Sequence, residues 1–425
     1  MINEASVRAV EASRWGSGWV KPLYDTYGFA RIPELVRALF TPDAADPVVS
    51  QLIGPCARPY QKVIVCLVDA FGWRFFAQYR DRYPFLSRFV TDGSATKLTS
   101  QFPSTTAAHI TLMHTGVPVG QSGIYEWFQY EPQLDGIIAP LMFSFAGDNA
   151  RNTLLKTGID PAKLYPTTTQ YQALQRLGVT SFVLQPRDFT PSPMGSVVCA
   201  GAREVPFANA TEAIRTLTDL VVGEQRRAYF YLYLGAIDAA GHRFGVDSAQ
   251  FDAEVHAIFT QLEELFHAQA AGKLQDTIFL MTADHGQVGA DPAKAIYLNR
   301  TIPEIGQWIA VNRRGQLLVP AGSCRDLFLH IRPEYVDKAL ACLQEHLAGR
   351  AEVYRVRDFI DQGFFGSEPP SATFLARVGN LVVLPYAGES VWWIEPGRFI
   401  QDKRGHHGGL TPQEMETHIL ALPYD

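Results

Sequence analysis

Cysteine is scarce in this chain. There are five among 425 residues (Cys56, Cys66, Cys199, Cys324 and Cys342), an odd number, far apart and without a CxxC pair. That argues against a disulfide framework or a thiolate metal site and suits reduced core cysteines in a cytoplasmic protein. A basic excess is lacking too: Lys and Arg number 37 against 43 Asp and Glu, a formal net charge of −6. No nucleic-acid polymer is therefore expected as the main partner, because nothing would release its counterions. A small anionic substrate stays open, since a metal site carries its own positive charge. No run of about 18 apolar residues occurs, so no helix is expected to span a membrane. The opening Met1-Ile-Asn-Glu-Ala-Ser6 has no basic flank leading into an apolar stretch, and no secretory leader is expected.

What is present is ordinary globular composition, 47% apolar and 19% charged. The length suits one large domain or two ordinary ones. Residues 1–60 read as a lead-in with a short amphipathic helix near 32–40. Val63-Ile-Val-Cys-Leu-Val68 is a continuous apolar run, the pattern of a strand buried on both faces, and it ends at Asp69. Phe182-Val-Leu184, Tyr229-Phe-Tyr-Leu-Tyr-Leu234 and Ile278-Phe-Leu-Met-Thr282 repeat that pattern. Helical spacing is clearest at Val255, Phe259, Leu262 and Phe266. Strands alternating with helices predict an α/β fold: a mainly parallel central sheet with helices on both faces. Past residue 315 the pattern changes. Strands are expected at 317–319, 326–331, 351–356 and 381–384, with a helix over 333–349 started by Pro and stopped by Gly. This reads as a small α+β insertion over 315–398, the catalytic core being 1–314 and 399–425.

One stretch carries a loop-to-helix transition, Phe102-Pro-Ser-Thr-Thr106 running on to Thr115-Gly116. A helix start offers free N–H groups and a positive dipole end to a phosphate. Its hydroxyls, on Ser104, Thr105 and Thr106, are either caps or a nucleophile. Elsewhere Asp69 follows one buried strand, Asp238-Ala-Ala-Gly-His242 another, and Asp284-His285 a third. Carboxyl ends of parallel strands are where open α/β sheets bind ligands. His406 and His407 sit in the glycine-rich Lys403-Arg-Gly-His-His-Gly-Gly409. Asp and His sets without Cys suit zinc, with manganese or iron as alternatives.

These motifs together resemble the alkaline phosphatase superfamily, and within it the type I phosphodiesterase/nucleotide pyrophosphatase family. Leu67-Val-Asp69-Ala-Phe-Gly72, Phe102 to Gly116, Asp238-x-x-x-His242, Asp284-His285-Gly286 and His407-Gly408-Gly409 occur in the family's order across residues 62–410. The resemblance implies two Zn²⁺ ions and a threonine nucleophile. One ion would take Asp69, Thr106, Asp284 and His285; the other would take Asp238, His242 and His407. Thr106 keeps the family's spacing, which leaves Thr105 to cap the helix. His407 rather than His406 precedes the glycine. Where nucleotide-cleaving members carry an asparagine that donates to the phosphoryl oxygen, this chain has His109, which either donates in its place as a catalytic residue or packs inward from the helix.

The implied activity is hydrolysis of a phosphodiester or pyrophosphate bond in a nucleotide-like substrate through a phospho-threonine. Two divalent ions against three carboxylates leave about one net positive charge before Thr106 ionises. That favours a diester monoanion over a monoester dianion, because no extra cation is identifiable in the sequence. Hydrolysis of a phosphonate or another phosphoryl compound on the same site is the second enzyme reading. A metal-stabilised interaction protein without turnover is the reading from another class. Aromatics in Ile124-Tyr-Glu-Trp-Phe-Gln-Tyr130 could stack on a base or pack internally. The insertion is expected to recognise the leaving group as a lid.

Overall fold

The computed structural model describes residues 1–41 and 47–425. Of the expected lead-in, residues 42–46 lie outside the described residues. In chain order the strands that matter are β1 (Lys62–Val68), β2 (Ser94–Thr99), β3 (Thr180–Pro186), β4 (Arg203–Phe207), β5 (Ala228–Leu234), β6 (Thr277–Thr282), β7 (Leu327–Leu329), β8 (Ala351–Arg355), β9 (Leu381–Pro385) and β10 (Glu416–Tyr424). Seven form one sheet in the order β2-β10-β6-β1-β5-β3-β4. β6, β1, β5, β3 and β4 run parallel. β10 enters antiparallel to both β6 and β2. The α/β architecture expected from the apolar runs is the one adopted.

The run in β1 is apolar at every position because both faces are covered. Val63, Val65 and Leu67 pack with Leu35, Val36 and Leu112 on one side. Ile64, Cys66 and Val68 pack with Phe75, Val255 and Phe259 on the other. Each such fully buried side chain contributes about 1.5–3 kcal/mol of hydrophobic stabilisation. The first cover helix is α1 (Ile32–Ala38). The helix α2 (Thr106–Thr115) begins at the nucleophile candidate and ends at Gly116, whose φ of +74° closes it as a left-handed cap. α3 (Ala236–Phe244) and α4 (Ala249–Gln261) follow β5. The helix expected over 251–266 is present, but its last part, Leu262–His267, is π-helical.

Three strands of the sheet, β2, β4 and β10, lie outside the apolar runs named above. β2 reads Ser-Ala-Thr-Lys-Leu-Thr, yet all six residues are buried. Its Lys97 is accommodated by an ion pair to Glu416 of β10 at 2.9 Å. In the other direction, the strand expected at 317–319 does not form. Leu317 makes only an isolated bridge to Val311, and Pro320 has no N–H to extend a ladder.

The later region carries an antiparallel sheet in the order β7-β9-β8. The helix expected over 333–349 is a 3₁₀ turn, Pro333–Tyr335, leading into α5 (Val336–His346). The apolar core here also takes in Ile296, Leu298, Ile305 and Trp308. A buried bidentate pair, Arg325 with Glu414 at 2.9 Å for both contacts, ties the turn before β7 to the segment before β10. Among the described residues no helix is long and apolar enough to cross a membrane.

Candidate active site

Asp69, Asp238 and Asp284 follow the carboxyl ends of β1, β5 and β6, three neighbouring strands of the sheet. Two turns must nearly touch for this. A Cβ at Gly72 would lie 2.7 Å from Gly286 Cα and 2.7 Å from the Glu416 carbonyl, so only glycine fits that approach. Ala70, between Asp69 and Gly72, takes a φ of +62°, and its N–H donates to Asp284 Oδ1 at 3.2 Å. A non-glycine residue in that region is the kind of local cost that clusters at functional sites. Asp238 and His242 share one face of α3 through their i, i+4 spacing. Thr106 is the first residue of α2. The late loop returns His407, held against the nucleophile loop by Ser104 N–H to Gly408 O at 3.2 Å and Ser104 Oγ to Gly409 O at 2.8 Å.

Two clusters result. In the first, His285 Nε2 lies 3.5 Å from Asp69 Oδ1 and 3.3 Å from Asp284 Oδ2. Thr106 Oγ stands 3.2 Å from that nitrogen and 3.5 Å from Asp69 Oδ2. In the second, Asp238 Oδ2 is 3.3 Å from His242 Nε2, and its Oδ1 is 3.7 Å from His407 Nε2. Within each Asp/His set the ligand atoms lie within 4.8 Å of one another. The clusters adjoin, because the His285 and His407 rings stack with centroids 3.7 Å apart. His406 is outside the second set; its ring centroid lies 5.7 Å from that of His242.

The donor chemistry fits cations. Each histidine commits Nδ1 to a backbone carbonyl: His285 to Gly286 at 2.9 Å, His242 to Gly405 at 2.6 Å, His407 to Ser104 at 3.0 Å. That fixes the tautomer and leaves Nε2 lone pairs facing the carboxylates. Asp69 Oδ1 and Asp284 Oδ2 are buried without a hydrogen-bond partner. Burial and the Asp284 charge push Asp69 well above the usual carboxylate range. Burial lifts Asp284 to about 7 and holds His242 down at about 3 and His407 at about 4. Carboxylates crowded in this way lack positive charge, and the bare imidazole nitrogens show where it belongs.

Four readings of the sequence meet the structure here. Thr105 occupies the cap position of α2, but its hydroxyl makes no capping bond; it bonds to Glu126 instead. His109 does not face the site. Its Nδ1 donates to the Thr105 carbonyl at 2.7 Å and its Nε2 accepts the Gln101 N–H at 2.9 Å. Burial drops it to about 3, so it has no free N–H for a phosphoryl oxygen and instead locks the end of β2 to α2. Tyr125 is fully buried, packed edge-on to Phe328. Finally, cations are available after all: Lys403, Arg151 and Arg398 line one cavity with Asp69, Thr106 and the whole second cluster.

That cavity has a volume of about 690 Å³ and is lined also by Trp127, Phe128, Trp392 and Phe399. Other participants were not anticipated. Tyr233 donates to Asp69 Oδ2 at 2.5 Å, and Gln287 Nε2 donates to Asp238 Oδ1 at 2.7 Å. Gln287 was within reach of sequence reasoning, two residues past His285. Glu126 borders the cavity with Oε1 unpartnered, and burial lifts its carboxyl to about 7. It was hidden inside an aromatic stretch that reads as core.

A family model described as Type I phosphodiesterase / nucleotide pyrophosphatase matches residues 63–409. Among solved structures, an inactive form of murine ectonucleotide pyrophosphatase / phosphodiesterase 5 in complex with AMP is similar at a TM-score of 0.61 and 17% identity, over 85% of this chain and 88% of that one. The human form gives 0.63 at 16% identity, over 85% and 87%. Phosphonoacetate hydrolase from Sinorhizobium meliloti 1021, in complex with phosphonoacetate, gives 0.59 at 16% identity, over 87% and 94%. No curated protein matches by sequence. At these identities the structural likeness speaks for the fold.

Proposed function

The chain belongs to the type I phosphodiesterase / nucleotide pyrophosphatase family, and on that premise we propose that it is a zinc-dependent hydrolase of phosphodiester or pyrophosphate bonds working through a phospho-threonine at Thr106. The observation that carries this is the position of Thr106 Oγ, 3.2 Å from His285 Nε2 at the start of a buried helix, in a cavity shared by both clusters. Asp69, Thr106, Asp284 and His285 would hold one ion and Asp238, His242 and His407 the other, with Mn²⁺ or Fe as alternatives to Zn²⁺. Bound there, two such ions supply Lewis-acid stabilisation of charge on the phosphoryl group and the leaving oxygen.

The rest falls to the chain's own groups. The Thr106 hydroxyl is aimed at Asp69 Oδ2, and its oxygen attacks phosphorus in line with the departing group. The first N–H groups of α2 have no helical partners and orient the phosphoryl oxygens. Tyr233 and Gln287 hold Asp69 and Asp238 in place. Water then cleaves the phospho-threonine, and two in-line displacements give retention at phosphorus. Region 315–398 is assigned to the leaving group, since Gly322, Ser323 and Trp392 wall the cavity. Five unpaired cysteines suit the cytoplasm.

Hydrolysis of a phosphonate is the second reading, and Lys403 favours it, being placed to receive a second acidic group. Metal analysis with turnover of bis-p-nitrophenyl phosphate, p-nitrophenyl phosphate and a phosphonate tests the proposal. About two ions per chain and diester turnover are expected. Phosphonate cleavage without diester cleavage would move the protein to the second reading. Two bound ions with no turnover of any phosphoryl compound would leave a metal-stabilised interaction protein.

A further inference from the structure

The loop that returns His407 carries a cation that the proposed chemistry does not use. Lys403 is exposed and lines the cavity, and among the described residues its ammonium has no ion-pair partner. It shares that cavity with Asp238, His242, His407 and Glu126, of which the first three form the second cluster.

The backbone under Lys403 is held rather than loose. Buried Gln401 clamps it from both sides, accepting the Lys403 N–H at 2.8 Å and donating to the Lys403 carbonyl at 3.0 Å. The next residue, Arg404, donates its N–H to the His242 carbonyl at 2.8 Å. Two residues on, the Gly405 carbonyl takes the His242 Nδ1 proton. The lysine therefore rides on the same short segment that orients a histidine of the second cluster. An ammonium on a four-carbon stem can follow an anion from such an anchored base.

The facing groups do not neutralise it. Asp238 belongs to the second cluster and is held there by Gln287. The Glu126 carboxyl is turned to the Trp127 N–H and the Thr105 hydroxyl. Of the two other cations lining the cavity, Arg398 is paired with Glu395 at 2.8 Å, and Arg151 donates to the Leu141 carbonyl at 2.7 Å and lies over the Phe189 ring. An uncommitted lysine beside a metal-ligand cluster, at the edge of a cavity walled by aromatic rings, is arranged for a ligand anion outside the reacting phosphoryl group.

We propose that Lys403 is a specificity-determining residue that receives an acidic group on the leaving half of the substrate. This rests on the phosphoryl-hydrolase reading above, with Thr106 as nucleophile and the second cluster on the leaving-group side. The preferred class is then pyrophosphates, or esters whose departing alcohol itself carries a phosphate or carboxylate. Simple diesters of neutral alcohols are turned over less efficiently.

The test compares two methyl aryl phosphates of nearly equal size, one departing as 3-carboxyphenol and one as 3-carbamoylphenol. The metal-loaded full chain should favour the carboxylate by about tenfold in kcat/KM, mostly through KM, and added salt should shrink the preference. In Lys403→Gln the preference should fall by about tenfold while the carboxamide ester is cleaved as before. Lys403→Arg should keep most of it. A preference unchanged in Lys403→Gln overturns the assignment while leaving the hydrolase reading intact. Equal loss on both esters with unchanged zinc content also overturns it, because the lysine would then support the site generally. Failure of the unmodified protein to cleave either ester, with two ions bound, overturns the hydrolase reading and this inference with it.

Discussion

Asp284→Asn is expected to stabilise the metal-free protein at alkaline pH, although it destroys a metal ligand. Burial, with the Asp238 charge behind it, lifts Asp284 from its ordinary 3.8 to about 7, against the pull of the Ala70 N–H. A carboxyl whose folded-state pKa exceeds its unfolded value holds its proton more tightly in the folded chain. Its contribution is intact below pH 3.8 and is lost as pH rises toward about 7, staying lost above. Three units correspond to about 4 kcal/mol at about 1.4 kcal/mol per unit, of which only about 1.5 is spent by pH 5. The asparagine can keep the rest of the geometry. Its oxygen can accept from Ala70 N–H and His285 N–H as Asp284 Oδ1 does at 3.2 and 3.1 Å. Its amide nitrogen takes the place of Oδ2, 3.3 Å from His285 Nε2, which is a bare acceptor because Nδ1 is committed to Gly286. Urea unfolding of chelator-treated protein should show the variant's advantage to be about 3 kcal/mol greater at pH 8 than at pH 5. Saturating zinc should reverse the order at pH 8, since only the parent chain keeps both sites. An equal difference at both pH values, or a variant less stable at pH 8, would falsify the account of this site as buried uncompensated charge.

Thr106→Ala should abolish turnover, whereas Thr105→Ala, which removes no capping bond, should cost under about 1 kcal/mol of stability by thermal unfolding; the opposite pattern in activity would move the nucleophile by one residue. His407→Ala should lower bound metal toward one ion per chain by elemental analysis, and His406→Ala should leave it unchanged; loss in both would place His406 in the site. An aryl diester should be preferred over its matching monoester by about tenfold or more in kcat/KM, because the two-ion centre with Thr106 ionised is left near neutral and Lys403 is placed for the leaving half rather than the reacting phosphoryl group; equal rates would show that the charge count is wrong.

The parallel core was legible because β1, β3, β5 and β6 are buried on both faces, so position alone forced Val, Ile, Leu and Phe. The three aspartates were legible because they terminate those runs. β2 and β4 were not, since Ser94-Ala-Thr-Lys-Leu-Thr99 and Arg203-Glu-Val-Pro-Phe207 look like surface in one dimension, and β10 opens on Glu416-Thr-His418, whose glutamate pairs with Lys97, before its apolar run begins. The role of His109 was not legible for a related reason: a sequence shows that an imidazole follows the nucleophile by one helical turn, not that Gln101 and Thr105 already occupy both nitrogens. Lys403 lies in the same short motif as His406 and His407, and the cavity it shares with the second cluster is a fact of space.

The antiparallel entry of β10 between β2 and β6 also has a consequence for synthesis on the ribosome. β2 pairs across its inner edge only with β10, and β10 emerges after the whole of the 315–398 region. At roughly 5–20 residues per second, tens of seconds separate the two. Through that interval the inner edges of β2 and β6 stay open, and Lys97 waits for Glu416. Asp69, Asp284 and His285 are all translated before His407, so the first metal-ligand set can assemble while the second is still a residue short. The nascent chain therefore meets the cell with one half of its centre ready and an unpaired slot in its sheet.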